Sequence, residues 1–239
     1  MKFCKHICLS LFFIASVARY AYATWSIVVI DPRTKKIGIA GASCTNNVYG
    51  IGAIVPGKGA VVVQAMSNPF ARAKGVEMLL ADATPGQILE AMKDPKYDPD
   101  NQQYAIVSVQ YADQPATHTG SGTTSFKGAL TSRGISVQGN TLTSPETVQA
   151  VLDAVLNAQK DSLAIEDILM IGIETGARLG GDNRCGNIIA LSAFLTVAMP
   201  GDDPKKPYLN LVVYGSAEKV NAVEALRQKF NSWKEKTGR

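Results

Sequence analysis

Beyond residue 23, hydrophobic and polar positions alternate between two periods, near 2 and near 3.6, which marks strands and helices respectively. Trp25 to Ile30 is apolar and β-branched, Asp31 to Lys36 has turn chemistry, and Ile37 to Ser43 returns, which predicts a hairpin. Residues Gly50 to Pro56 and Ala60 to Ser67 predict two more strands around the Pro56-Gly57-Lys58-Gly59 turn. Asn68-Pro69 opens a helix expected from about Phe70 to Ala81. Thr84-Pro85-Gly86-Gln87 combines a capping Thr, a first-turn Pro and a Gln three residues on, and so predicts a second helix to about Lys93. Strands are then expected at Tyr104 to Tyr111, Ala116 to Thr119, Lys127 to Thr131 and Ile135 to Gly139.

A helix begins near Ser144-Pro145, where Val148, Val151, Leu152, Val155 and Leu156 share one face. A more buried helix is expected over Leu163 to Leu179, stopped by Gly180-Gly181. Ile188 to Met199 and Tyr208 to Tyr214 read as strands. The last segment reads as an amphipathic helix with Val220, Val223, Leu226, Phe230 and Trp233 inward, and Ser216-Ala217-Glu218-Lys219 as its capped start. This order predicts an α+β chain of two sheets packed together and covered by helices, in one domain over residues 24–239.

The first 23 residues follow a different pattern. Lys2 and Lys5 precede an apolar run from Ile7 to Ala18, and Ala21-Tyr22-Ala23 forms an A-x-A site. That is the layout of a secretory signal peptide cleaved after Ala23, and the run is shorter than the roughly 20 residues a spanning helix needs. Export without a stable membrane anchor, to a periplasmic or secreted location, is the expectation. It also changes the charge. The whole chain of 239 residues has 24 basic and 20 acidic side chains, but Lys2, Lys5 and Arg19 belong to this segment. The remainder is nearly neutral, with no basic block, so nucleic acid is not an expected partner.

The chemistry available to the exported portion is narrow. Its one histidine is His118, and its two cysteines are Cys44 and Cys185. No G-x-S-x-G elbow, phosphate-binding loop or dinucleotide glycine fingerprint occurs, and one His with two distant Cys makes a poor zinc set. No metal or cofactor is expected. Cleavage after Ala23 would make Thr24 the new N-terminus, directly ahead of a strand. A free α-amine titrates at about 7.7–8.0, so beside the Thr hydroxyl it can act as the base for its own nucleophile. Cys44 and Cys185 can form a disulfide in an oxidising compartment; two buried thiols, or Cys44 as a nucleophile with His118, are the alternatives.

Thr24-Trp25-Ser26-Ile27-Val28, the turn and return through Asp31, Thr34, Gly38 and Ala40, Gly52 to Pro56, Gln64 to Pro69, Gln138-Gly139-Asn140 and Gly180 to Arg184 together resemble one family. It is the bacterial family called domain of unknown function 1028. The resemblance implies a four-layer αββα sandwich of the Ntn-hydrolase type and supports Thr24 as nucleophile. The pattern departs at Cys185-Gly186-Asn187-Ile188, where the family often continues with Gly and then Gln-Ser. The function expected is hydrolysis of an amide or related C–N bond in a small-molecule or peptide-like substrate. The alternative is a non-catalytic binding or scaffold protein with the same fold; a homo-oligomer is compatible with either.

Further site candidates surround Thr24 in this reading. Asn68 is a candidate catalytic amide, or the cap of the helix that follows. Ser43, Gln138, Asn140, Asp182 and Arg184 are candidate substrate-binding residues, with turn chemistry the competing role for Gln138 and Asn140. A structural ion pair is the competing role for Asp182 and Arg184.

Overall fold

Residues 24–215, Glu218 and 220–238 are described by the structure, a computed structural model. Residues 1–23, expected to be a signal peptide with an A-x-A site, and most of Ser216 to Lys219 lie outside the described residues.

The period-2 stretches pair into two antiparallel sheets. The first contains β1 (Thr24–Asp31), β2 (Lys36–Ser43), β7 (Gly128–Ser132), β8 (Ile135–Asn140), β9 (Ser192–Ala198) and β10 (Leu209–Val213), in the order β10-β9-β2-β1-β8-β7. The second contains β3 (Gly52–Val55), β4 (Gly59–Ala65), β5 (Gln102–Ser108) and β6 (Ala116–Thr119), in that order. Thr24 pairs with Ser43 on one side and Asn140 on the other, so β1 lies in the middle of the larger sheet.

Side-chain alternation along β1 separates two cores. Trp25, Ile27 and Val29 point outward, where they pack with Val151, Val155, Leu169 and Ile173 of α3 (Thr147–Lys160) and α4 (Ile165–Arg178). Val28 and Ile30 point inward, with Ile37, Ile39, Val62, Val107 and Phe194, and form the core between the sheets. On the far side of the smaller sheet, Val61, Val63 and Tyr104 pack with Leu79, Ile88 and Met92 of α1 (Pro69–Leu80) and α2 (Pro85–Met92). The result is a four-layer sandwich, helices on sheet on sheet on helices, as expected.

The capping signals were decisive locally. Asn68 Oδ1 accepts from the Phe70 and Ala71 amides at 2.9 and 3.2 Å. Thr84 and Gln87 form the reciprocal capping box, with Thr84 N donating to Gln87 Oε1 at 3.0 Å.

Two expectations near the C-terminus need correction. The segment expected to begin a strand at Ile188 is a 3₁₀ turn over Asn183–Ile188, and the strand starts only at Ser192. Asp182 caps that turn, and Ile189, inside the expected strand, adopts φ 68°, which breaks the extended run. Val220 is exposed rather than inward, because Asn221 caps the last helix, α5 (Ala222–Thr237), and places Val220 before its first turn. Trp233 is partly buried against this core, edge-on to Tyr208.

Close approach of α4 to β1 depends on a small residue. A methyl group at Gly176 would collide with the indole of Trp25, whose Nε1 donates to Ile173 O at 3.3 Å. Gly176→Ala is therefore expected to destabilise the fold by about 1–3 kcal/mol, because a buried ring has little room to yield. Thermal unfolding should show a midpoint several degrees lower; an unchanged midpoint would contradict this packing.

Candidate active site

Thr24 opens β1, and its two strand partners carry polar side chains on the same inward face. Residues directly opposite in an antiparallel pair hold their Cβ atoms about 4.5–5.5 Å apart. Ser43 and Asn140 therefore flank Thr24, and Ser192 lies beyond Ser43 on β9. Thr24 Oγ1 donates to Ser43 Oγ at 3.3 Å, and Thr45 Oγ1 donates to the same oxygen at 3.3 Å. Thr24 is only 2% exposed, yet it borders a cleft of about 500 Å³ together with Thr45, Asn46, Asn47, Ser67 and Arg72.

Beneath Thr24, the inter-sheet layer changes from apolar to polar. Ser136 Oγ donates to Gln138 Oε1 at 2.7 Å, Gln138 Nε2 to Ser26 Oγ at 2.6 Å, and Ser26 Oγ to Gln64 Oε1 at 2.6 Å. Gln64 Nε2 then donates to Gln103 Oε1 at 2.7 Å and to the Thr24 carbonyl at 3.3 Å. Gln103 Nε2 completes the series with Thr119 Oγ1 at 2.9 Å and Gly139 O at 3.1 Å. Along Ser136, Gln138, Ser26, Gln64 and Gln103 each side chain donates to the next, so the bonds polarise one another, and Gln64 and Gln103 donate back to carbonyls of the larger sheet.

A second set of contacts holds the end of β2. Asp182, fully buried, accepts from the Cys44 amide at 2.6 Å and from Arg184 Nη2 at 2.7 Å through Oδ2. Its Oδ1 accepts from the Arg184 amide and Nε at 3.0 and 3.1 Å. Cys44 and Cys185 are joined by a disulfide with Cα atoms 5.5 Å apart. The turn after α4 is thus fastened to the residue that follows Ser43.

The backbone is strained around this end of the sandwich. Ala65 and Ser67, both on the cleft, have φ of 68° and 51°, Thr141 after Asn140 has 53°, and Ile189 has 68°. Such conformations cost on the order of 1–3 kcal/mol each for residues with a Cβ and persist only where the surroundings impose them.

The candidate residues therefore separate into groups. Thr24, Ser43 and Asn140 come together in one row. Gln138 is buried in the inter-sheet hydrogen-bond chain rather than lining the cleft. Asp182 and Arg184 pair with each other, the structural role expected as one alternative. Asn68 serves as the α1 cap through Oδ1, while its Nδ2 donates to Tyr97 O at 3.1 Å, so both amide atoms are engaged. Cys44, being in the disulfide, has no thiol for nucleophilic work, and His118 instead lies on β6 with Nε2 3.0 Å from Pro99 O.

Sequence reasoning passed over Ser26, Gln64, Gln103 and Ser136. The available signal was polar side chains at inward positions of otherwise apolar strands, such as Gln64 after Val61-Val62-Val63. Arg72 was also passed over, because nothing in its helix sequence shows that it borders a cleft.

The disulfide and Asp182 make separable predictions. Peptides containing Cys44 and Cys185 should run as one linked species before reduction and separate after it. Replacing both cysteines by serine should cost about 2–5 kcal/mol, since the bond closes a long loop. Asp182→Asn should cost about 1–3 kcal/mol by weakening the charge-assisted bonds that the buried carboxylate accepts from Arg184 and the Cys44 amide. Chemical denaturation measures both, and losses under 1 kcal/mol would contradict this account.

Comparison with known proteins agrees with the architecture. The crystal structure of protein SPO2555 from Silicibacter pomeroyi, itself described as a DUF1028 protein, superposes with a TM-score of 0.73 at 22% identity. The match covers 89% of this chain and 89% of that one, and at this identity it establishes the shared fold. No curated protein matches this chain. The model for the family of unknown function DUF1028 matches residues 24–223, beginning at the threonine that opens β1. The chain belongs to the DUF1028 family.

Proposed function

We propose that this chain is an exported N-terminal-nucleophile-type hydrolase that cleaves an amide or related C–N bond through Thr24. The observation that carries this reading is the position of Thr24, first residue of the central strand, between Ser43 and Asn140, on the wall of a cleft. The disulfide between Cys44 and Cys185 suits an oxidising compartment, and among the described residues no helix is long and apolar enough to cross a membrane.

The chemistry follows from a free Thr24 amine after removal of residues 1–23. The neutral amine accepts the Oγ1 proton as Oγ1 attacks the substrate carbonyl carbon. The tetrahedral intermediate collapses with cleavage of the C–N bond, and the proton passes to the departing nitrogen. Water, deprotonated by the same amine, then hydrolyses the resulting ester and restores the hydroxyl. Ser43 orients Oγ1 through their hydrogen bond, and the Asn140 amide opposite Thr24 is the side chain assigned to the oxyanion.

The slight exposure of Thr24 supports a second reading, a non-catalytic binding protein with the same fold. Mass measurement of the natively exported protein should find Thr24 at the N-terminus, and any other terminus rules out this mechanism. A neutral β-lactone should add to the wild-type protein once, at Thr24. Labelling should vanish in Thr24→Ala and persist at an altered rate in Thr24→Ser. Its rate should rise with pH as the amine loses its proton near about 7.7–8.0. Labelling elsewhere, or none, would favour the non-catalytic reading.

A further inference from the structure

Arg72, on the first turns of α1, borders two spaces at once. One is the Thr24 cleft, and the other is a groove of about 410 Å³ whose walls include Ile54, Val76, Leu80, Phe194 and Pro207. Arg72 is the sole charged side chain lining either space among the described residues. Gly50 also borders both, and the position a Cβ would occupy there is open space.

The guanidinium of Arg72 differs from the others in the molecule. Among the described residues, Arg33, Arg133, Arg184 and Arg227 each pair with a carboxylate, and Arg178 donates to Thr175 Oγ1. Arg72 is half-buried and has no such side-chain partner; burial, with no compensating charge, depresses its pKa. A partly desolvated cation left unpaired is costly, and a bidentate carboxylate is the ligand that best fits its planar fork. The apolar groove beyond it favours a hydrophobic group on the same ligand.

We propose that Arg72 anchors the carboxylate of the substrate. The ligand class is an N-acyl amino acid, whose carboxylate pairs with Arg72 and whose apolar side chain passes Gly50 into the groove. Its amide lies toward Thr24. The assignment rests on the hydrolase reading for the identity of the bond cleaved, but the anchor itself is a binding property and can be tested without chemistry.

The test uses the mature protein with Thr24→Ala, titrated with N-acetyl-L-leucine and with its methyl ester, with affinity read by chemical-shift perturbation. The acid should bind and the ester should bind at least about tenfold more weakly, the loss expected for a charge-assisted pair. Arg72→Gln should erase that difference without lowering the thermal midpoint, since no internal partner is lost, and Arg72→Lys should retain part of it. Gly50→Leu should weaken N-acetyl-L-leucine more than N-acetylglycine. Equal affinity for acid and ester, no binding of the acid, or insensitivity to Arg72→Gln would each overturn the proposal. Failure of the neutral β-lactone to label wild-type Thr24, with carboxylate binding intact, would instead overturn the hydrolase reading and leave the anchor standing.

Discussion

The hydrogen-bond chain running from Ser136 through Gln138, Ser26 and Gln64 to Gln103 is the constraint on which the Thr24 end of the molecule depends. Two sheets packed only by aliphatic side chains can slide, because dispersion and apolar burial have little directional preference. Directional bonds between buried amides remove that freedom. Each amide here is nearly or fully shielded from water, so a break would strand a donor or acceptor at a cost of about 1–3 kcal/mol. The same chain reaches the carbonyl of Thr24 through Gln64, which fixes the main chain of the proposed nucleophile against the opposite sheet.

The two ends of the inter-sheet layer consequently do different work. Val28, Ile30, Ile39, Val62, Val107 and Phe194 supply the nondirectional burial that holds the layers together. The polar end sacrifices some of that burial for position. Around it, the Cys44–Cys185 disulfide and the Asp182–Arg184 pair fasten the turn after α4 to the end of β2. These cross-links, together with the hydrogen-bond chain, help to hold the left-handed conformations at Ala65, Ser67, Thr141 and Ile189. Rigidity assembled in this way is what a nucleophile needs if its hydroxyl is to meet a carbonyl in a fixed geometry.

Much of the architecture could be read from local signals. Asn68-Pro69 and Thr84-Pro85-Gly86-Gln87 start helices because their side chains satisfy amides that the helix itself leaves open. The hairpin at Asp31 to Lys36 and the paired halves of the sandwich follow from turn chemistry and period-2 alternation. The strand expected from Ile188 failed where local apolar content competed with a tertiary contact. Asp182 is drawn to the Cys44 amide 138 residues earlier, and the segment winds into a turn around it. Val220 failed because the last helix is capped by Asn221, five residues beyond the start expected at Ser216, so Val220 precedes the first turn.

By itself the sequence determined the element order, the two-sheet sandwich, the resemblance to the family and Thr24 as the residue to examine, because each rests on side chains close together in the chain or on a recurring pattern. It named Ser43 and Asn140 as candidates, but only strand register places them on either side of Thr24. It held two roles open for Asn68, Asp182 and Arg184, and geometry shows the helix cap and the ion pair, on a buried Asp182, that these residues form. Arg72 and the Gln64–Gln103 bond were decided by tertiary structure alone. Whether a charge lacks a partner, or whether two amides meet, depends on distances between segments that neither composition nor spacing encodes.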